Sequence, residues 1–193
     1  MNKNRLEAFS DGVLAIIITI MILEIKVPNS NSFESLKPLI PVFLSYVLSF
    51  AYVGIYWNNH HHIFQAVKQV NGKVLWGNLF LLFWLSLIPF ATSWIGSQHF
   101  SAVPMSCYGF ILFMCGLSYT ILVKKIIKLE GKNSLLAKVT QKDYKGRISL
   151  VFYLLGISLA FVSVWISGLL YFAVALFWIV PNMRIEKEII KYN

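Results

Sequence analysis

Charge is scarce in this sequence. Only 13% of its 193 residues are Asp, Glu, Lys or Arg, against about a quarter in an ordinary soluble domain. So few charges cannot cover a water-facing surface, which excludes a soluble globular protein and makes lipid the solvent. Acidic residues are scarcer still, eight against seventeen Lys and Arg. The two cysteines, Cys107 and Cys115, lie eight residues apart in one apolar run. On a helix that separation is about 12 Å, beyond disulfide reach, and no metal-ligand spacing surrounds them. No low-complexity or Gly/Ser-rich tract divides the chain, so residues 1–193 read as one domain. P-loop, GxSxG, HExxH and CxxC motifs are missing, as is a TVGYG-type carbonyl filter. The sequence therefore reads as a non-enzyme, without metal or bound cofactor.

What is present is apolar. Hydrophobic residues make up 58% of the chain, with a mean hydropathy of +0.68. A helix crossing a bilayer takes about 20 residues, so the apolar content furnishes five or six spans and leaves no room for a soluble domain. Six segments emerge, at about 5–25, 39–57, 74–95, 104–123, 147–165 and 168–183. The run from Phe9 to Ile25 is too long for a signal-peptide core and has no small-x-small cleavage site before Val27, so it reads as a permanent first span. Pro89 predicts a kink in the third segment, whose freed backbone groups neighbouring helices must cover. The short Ser167-Gly168 link predicts a tight hairpin between the last two.

The basic excess follows from topology. Lys3, Arg5, Lys68, Lys73, the eight basic residues from Lys124 to Arg147, and Arg184, Lys187 and Lys191 fall on one face of a six-span chain. Only Lys26 and Lys37 fall on the other. Fifteen against two is a positive-inside signature, with both termini cytoplasmic, and it accounts for the net charge of +9 without a nucleic-acid partner. The basic stretch from Lys124 to Arg147 also suits contact with anionic lipid headgroups.

Polar residues inside apolar segments are costly unless partnered, and so are informative. Asp11 stands about two turns inside the first span and needs a partner at its own depth. The second segment ends in His60-His61-His62, and an antiparallel arrangement brings those histidines to the leaflet of Asp11. An Asp–His or Asp–Trp–His network across the two helices fits, either as a structural clamp or as a gate that senses protons. Adjacent histidines fan around a helix, which disfavours a metal site. Ile16, Ile20 and Leu23 lie at i, i+4 and i+7, on one helical face with Thr19 beside it. From spacing alone that stripe is ordinary helix packing. Glu24 and Glu34 follow at the outer end.

Arg5-x-x-x-Phe9-Ser10-Asp11, the apolar run from Gly12 to Ile25, and Tyr56-Trp57-x-x-His60-His61 together resemble the bacterial branch of the transmembrane protein 175 potassium-channel family. The resemblance implies an all-α, six-span subunit of a closed homotetramer, with the first helix lining a central pore. It implies apolar side chains rather than carbonyls at the narrowest point: Ile16 as the constriction, Ile20 and Leu23 as further rings, Thr19 offering a hydroxyl. Arg5, Phe9, Ser10, Asp11, Trp57, His60 and His61 would hold the packing that sets pore width. Glu24 and Glu34 would concentrate cations at the mouth. A single motif copy is present, unlike the two-repeat animal members, so one chain supplies a quarter of a pore. The expected activity is passive, potassium-preferring conduction in a bacterial cell membrane, with K+ as the permeant ion and lipid and further copies of the chain as partners. A proton-coupled transporter using Asp11 with His60 or His61 is the alternative.

Overall fold

The computed structural model of the chain describes residues 3–67, 69–131, 133–140 and 144–179. Every regular element within them is helical: α1 (Lys3–Leu23), a 3-10 helix (Phe33–Leu39), α2 (Ile40–Gln65), α3 (Gly72–Ser86), α4 (Ile88–Ser97), α5 (Ala102–Glu130), α6 (Leu135–Thr140), α7 (Tyr144–Leu159) and α8 (Val164–Ile179). Helices satisfy their backbone polar groups internally, as lipid demands. Four stretches are long and apolar enough to cross a membrane: Lys3–Leu23, Phe33–Gln65, Gly72–Ser97 and Ala102–Glu130. This makes the chain a multi-pass membrane protein. Helices α7 and α8 have 16 residues each, about 24 Å of helix, shorter than a hydrocarbon core of about 30 Å.

The boundaries differ from the sequence reading in instructive places. Helix α2 runs eight residues beyond Trp57, because no Gly or Pro interrupts the chain from there to Gln65. The third segment is interrupted at one residue, Leu87, two before Pro89. Pro89 has no N–H for the Leu85 carbonyl and its ring crowds that turn. The backbone tightens at Leu87, whose N–H reaches Trp84 O at 3.2 Å, and α4 restarts from there. The last hairpin turns at 160–163, not at Ser167-Gly168. Ser163 N–H closes onto Leu159 O at 2.8 Å. Ser167 is buried inside α8, where its hydroxyl donates to Gly156 O at 2.7 Å across the hairpin. A serine satisfied by a neighbouring helix has no need of a turn. The expected sixth segment also included 180–183, outside the described residues.

Helix α5 is the centre of the bundle and packs on α3, α4, α7 and α8; α1 packs on α2, α3 and α4. Small residues permit the close approaches, as is usual between helices in lipid. A Cβ on Gly96 would lie 2.7 Å from Val42 Cα, so α4 meets the α2 backbone there. Tyr171 fills a slot that Gly109 and Gly156 leave open. One end of the bundle gathers the start of α1, the end of α2, the start of α3 and the end of α5. There Lys3 Nζ donates to Phe64 O at 3.1 Å and Gln69 N–H to Glu130 Oε1 at 3.5 Å. Lys3, Arg5, Lys73, Lys124, Lys125, Lys128, Lys138, Lys145 and Arg147 belong to elements that begin or end on this side, while Lys26 and Lys37 flank the opposite connection. Lys68, Lys132, Lys142, Arg184, Lys187 and Lys191 lie outside the described residues.

Candidate functional site

Helix α1 has two unlike faces. Leu6, Ser10, Leu14, Ile17 and Met21 recur every three or four residues and are buried against α2, α3 and α4. Arg5, Phe9, Gly12, Ile16, Thr19, Ile20 and Leu23 stand on the opposite side and are exposed. The contrast is sharpest between neighbours: Ile16 is 57% exposed and Ile17 3%. Packing within the chain therefore uses the other stripe, and the face of Ile16, Ile20 and Leu23 is left open. The Thr19 hydroxyl donates back to Ile16 O at 2.8 Å. Its proton is thus used inside the helix, and its oxygen lone pairs remain on the open face.

Behind that face a buried relay joins three helices. Ring nitrogen Nε2 of His60 lies 2.8 Å from Asn78 Oδ1, Asn78 Nδ2 donates to Ser10 Oγ at 2.9 Å, and the Ser10 hydroxyl donates to Leu6 O at 2.8 Å. An amide oxygen only accepts, so the His60 nitrogen carries the proton. All donors and acceptors along the line then agree in direction. Ser10, Asn78 and His60 are each at most 2% exposed. Interhelical hydrogen bonds in membranes average about 0.6 kcal/mol, so the two links between helices contribute little over 1 kcal/mol. Breaking them is costlier, at about 1–3 kcal/mol for each buried group left unpaired. The relay therefore acts as a register lock: small in net stability, strongly opposed to sliding α1 along α3.

Asp11 takes a different partner from His60. Trp57 Nε1 donates to Asp11 Oδ1 at 3.0 Å on the exposed side of α1 and α2. The Trp57 ring lies parallel to His61, with centroids 6.1 Å apart, and His61 Nε2 pairs with Gln65 at 2.8 Å. The direct Asp–His bond is replaced by two separate lines: an outer Asp11–Trp57–His61 line and the inner Ser10–Asn78–His60 relay. Asn78 escaped the sequence reading. Its signal was a lone amide in the run Trp76-Gly77-Asn78-Leu79, which would be an unpartnered liability in lipid.

The other end of the bundle is held by hydroxyls that also went unread. Thr92, Ser49 and Tyr108 form a buried chain, with oxygens 2.7 Å and 2.9 Å apart, joining α4, α2 and α5. Glu24, just beyond α1, accepts from Ser93 Oγ at 2.9 Å. Glu34 is tied to Lys37 at 3.5 Å, an exposed pair of small energetic weight. Arg5 and Phe9 are exposed on α1 at the relay end. Among the described residues no three His, Cys, Asp or Glu side chains gather as metal ligands.

Comparison with known proteins places this arrangement. Residues 5–89, which hold all but the first two residues of α1, then α2, α3 and the start of α4, match the family model described as the endosomal/lysosomal potassium channel TMEM175. A potassium channel of Chryseobacterium sp. (strain P1-3) is 57% identical, over 98% of this chain and 98% of its own. A potassium channel of Chamaesiphon minutus is 33% identical, over 90% of this chain and 92% of its own. The fold matches the crystal structure of a lysosomal potassium-selective channel TMEM175 homolog from Chamaesiphon minutus, with a TM-score of 0.80 at 31% identity over 93% of this chain and 97% of that one. With a full-length relative at that identity and the motif-bearing helices inside the matched region, the chain belongs to the TMEM175 channel family.

Proposed function

We propose that the chain is one subunit of a homotetrameric, potassium-preferring cation channel of a bacterial cell membrane, with α1 at the centre. The observation that carries this reading is the pair of faces on α1. One is locked into the chain's own core, and the other leaves Ile16, Thr19, Ile20 and Leu23 exposed. A closed ring of copies turns such faces towards a common axis; four is the number implied by the resemblance. Full-length relatives named as potassium channels support the same reading. With the short helices α7 and α8 counted as fifth and sixth spans, the positive-inside asymmetry puts both termini on the cytoplasmic side, and the cell membrane is their setting.

In this account Ile16 forms the narrowest apolar ring, and Ile20 and Leu23 form wider rings towards the outside. A ring of this kind blocks when dry and conducts when slightly wider and wetted. Potassium sheds its water more readily than sodium, so it is favoured. Thr19 offers outward-facing lone pairs one turn from Ile16. The inner relay and the Asp11–Trp57 bond hold α1 in register, and so set the ring's width. Glu24 and, more weakly, Glu34 raise the local cation concentration at the mouth. The testing experiment is potassium flux from liposomes holding the purified protein. Electrogenic flux that runs to the potassium equilibrium potential without a proton gradient supports the channel. Flux that requires proton exchange would transfer the role to Asp11 and the histidines as a transporter.

A further inference from the structure

Away from α1, at the lysine-rich end, α2, α5, α6, α7 and α8 enclose a cavity of about 420 Å³. Its walls are apolar, with Ile63 from α2, Val123 and Ile127 from α5, Leu136 from α6 and Leu150 from α7. Lys124 of α5 and Arg147 of α7, both exposed, stand on its rim. Asn59, Thr120 and Trp178 also line it, and they border a smaller pocket of about 40 Å³ that reaches Tyr52 and Tyr153. These deep polar groups already have partners. Asn59 Nδ2 donates to Ile55 O at 2.8 Å, Thr120 Oγ1 to Gly116 O at 2.9 Å, and Trp178 Nε1 to Ser149 Oγ at 2.8 Å. The rim is different. No Asp or Glu lines the cavity among the described residues. Lys37 and Glu34 form an ion pair near the other end of the bundle.

A volume in the range of ligand sites, apolar in depth and doubly cationic at its mouth, is complementary to one kind of molecule: an acidic head carrying a hydrocarbon chain. A wholly apolar ligand would leave the two cations unused, and a soluble anion would leave the apolar walls wet. We propose that this cavity binds an anionic phospholipid from the adjoining leaflet. Its headgroup phosphate lies between Lys124 and Arg147, and the upper part of one acyl chain lies along Val123, Ile127 and Leu150. The Arg147 guanidinium fork suits phosphate oxygens, and the Lys124 ammonium adds a point charge. Basic pockets between membrane helices take lipid headgroups in this way. The site is separate from the open face of α1, so it stands or falls independently of ion conduction.

The test uses Trp178 as a reporter. The full-length protein is reconstituted in vesicles of phosphatidylcholine containing either phosphatidylglycerol brominated high on its acyl chains or phosphatidylcholine brominated at the same positions. Tryptophan quenching is measured in each. The expected result is stronger quenching by the anionic lipid. That excess is lost in Trp178→Phe and in Lys124→Gln/Arg147→Gln, and it is retained in Lys128→Gln, which removes an exposed charge outside the cavity. Lys124 and Arg147 are exposed, so their replacement leaves the fold intact, which circular dichroism checks. Equal quenching by the two lipids would overturn the proposal. So would an excess that Lys128→Gln abolishes as fully as the double variant, since that marks a general charge atmosphere. An excess produced by a brominated free fatty acid but not by phosphatidylglycerol would overturn it in favour of a single-chain carboxylate.

Discussion

Asn78 Nδ2 and Ser10 Oγ meet at 2.9 Å, between α3 and α1, with both side chains cut off from the surroundings. Ser10 belongs to the Phe9-Ser10-Asp11 motif, and Asn78 is the group that gives the motif's serine its purpose. Since Asn78 also accepts from His60 at 2.8 Å, one amide fixes the relative height of three helices.

Removing that amide isolates His60. Asn78→Leu is expected to lower stability by about 1–3 kcal/mol, the cost of an orphaned buried polar group. The double variant Asn78→Leu/His60→Phe is expected to recover much of the loss, because removing both partners approaches neutrality. Thermal unfolding followed by tryptophan fluorescence, run as a double-mutant cycle, reads the coupling. Simple additivity would show that the two groups do not act together.

The outer line makes a different prediction. Trp57→Phe keeps a ring beside His61 but removes the donor to Asp11, and Asp11→Ala removes the acceptor. Both are expected to change open probability or tetramer assembly while leaving the potassium-to-sodium preference in place. Single-channel recording separates the two effects. A shift in reversal potential without a change in gating would contradict the clamp.

Much of this was legible in the residues, and what was not has physical reasons. The buried and open stripes of α1 follow from helical periodicity, but periodicity alone does not say which stripe faces its own chain. Asn78 was hidden because span recognition averages hydropathy, and one amide among Leu, Phe and Trp hardly lowers the mean. The turn at 160–163 has no Gly or Pro to mark it, whereas Ser167-Gly168 looks like a turn and is core. The extension of α2 past Trp57 is unmarked for the opposite reason: polar Asn and His residues suggest a loop, but nothing in them breaks a helix.

Helix spacing offers a test by glycine. Gly96→Ala places a Cβ 2.7 Å from the Val42 backbone, which has to move; overpacking of this kind costs about 1–3 kcal/mol. Gly54 has no neighbour within 4 Å of its would-be Cβ. Gly54→Ala is therefore expected to be neutral or to stabilise by up to about 1 kcal/mol through helix propensity. Melting temperatures of the two variants in one detergent check the ordering.

Ile16 and Ile17 are adjacent in sequence and opposite in environment. Ile17→Ala empties a core position and is expected to cost about 2–5 kcal/mol of stability with ion preference unchanged. Ile16→Ala is expected to leave the fold as stable as before and to alter permeation. Unfolding and flux measured on the same two preparations test whether the effects separate. An equal loss of stability in both would remove the distinction between the faces.

The central claim, that side chains on the open face of α1 select the ion, is tested most directly by reversal potentials. The native protein and Ile16→Asn are measured in planar bilayers with potassium on one side and sodium on the other. The account predicts a native reversal potential displaced towards the potassium equilibrium value, and a displacement towards zero in Ile16→Asn as the widened, wetted ring admits sodium. Identical reversal potentials for the two proteins would contradict it.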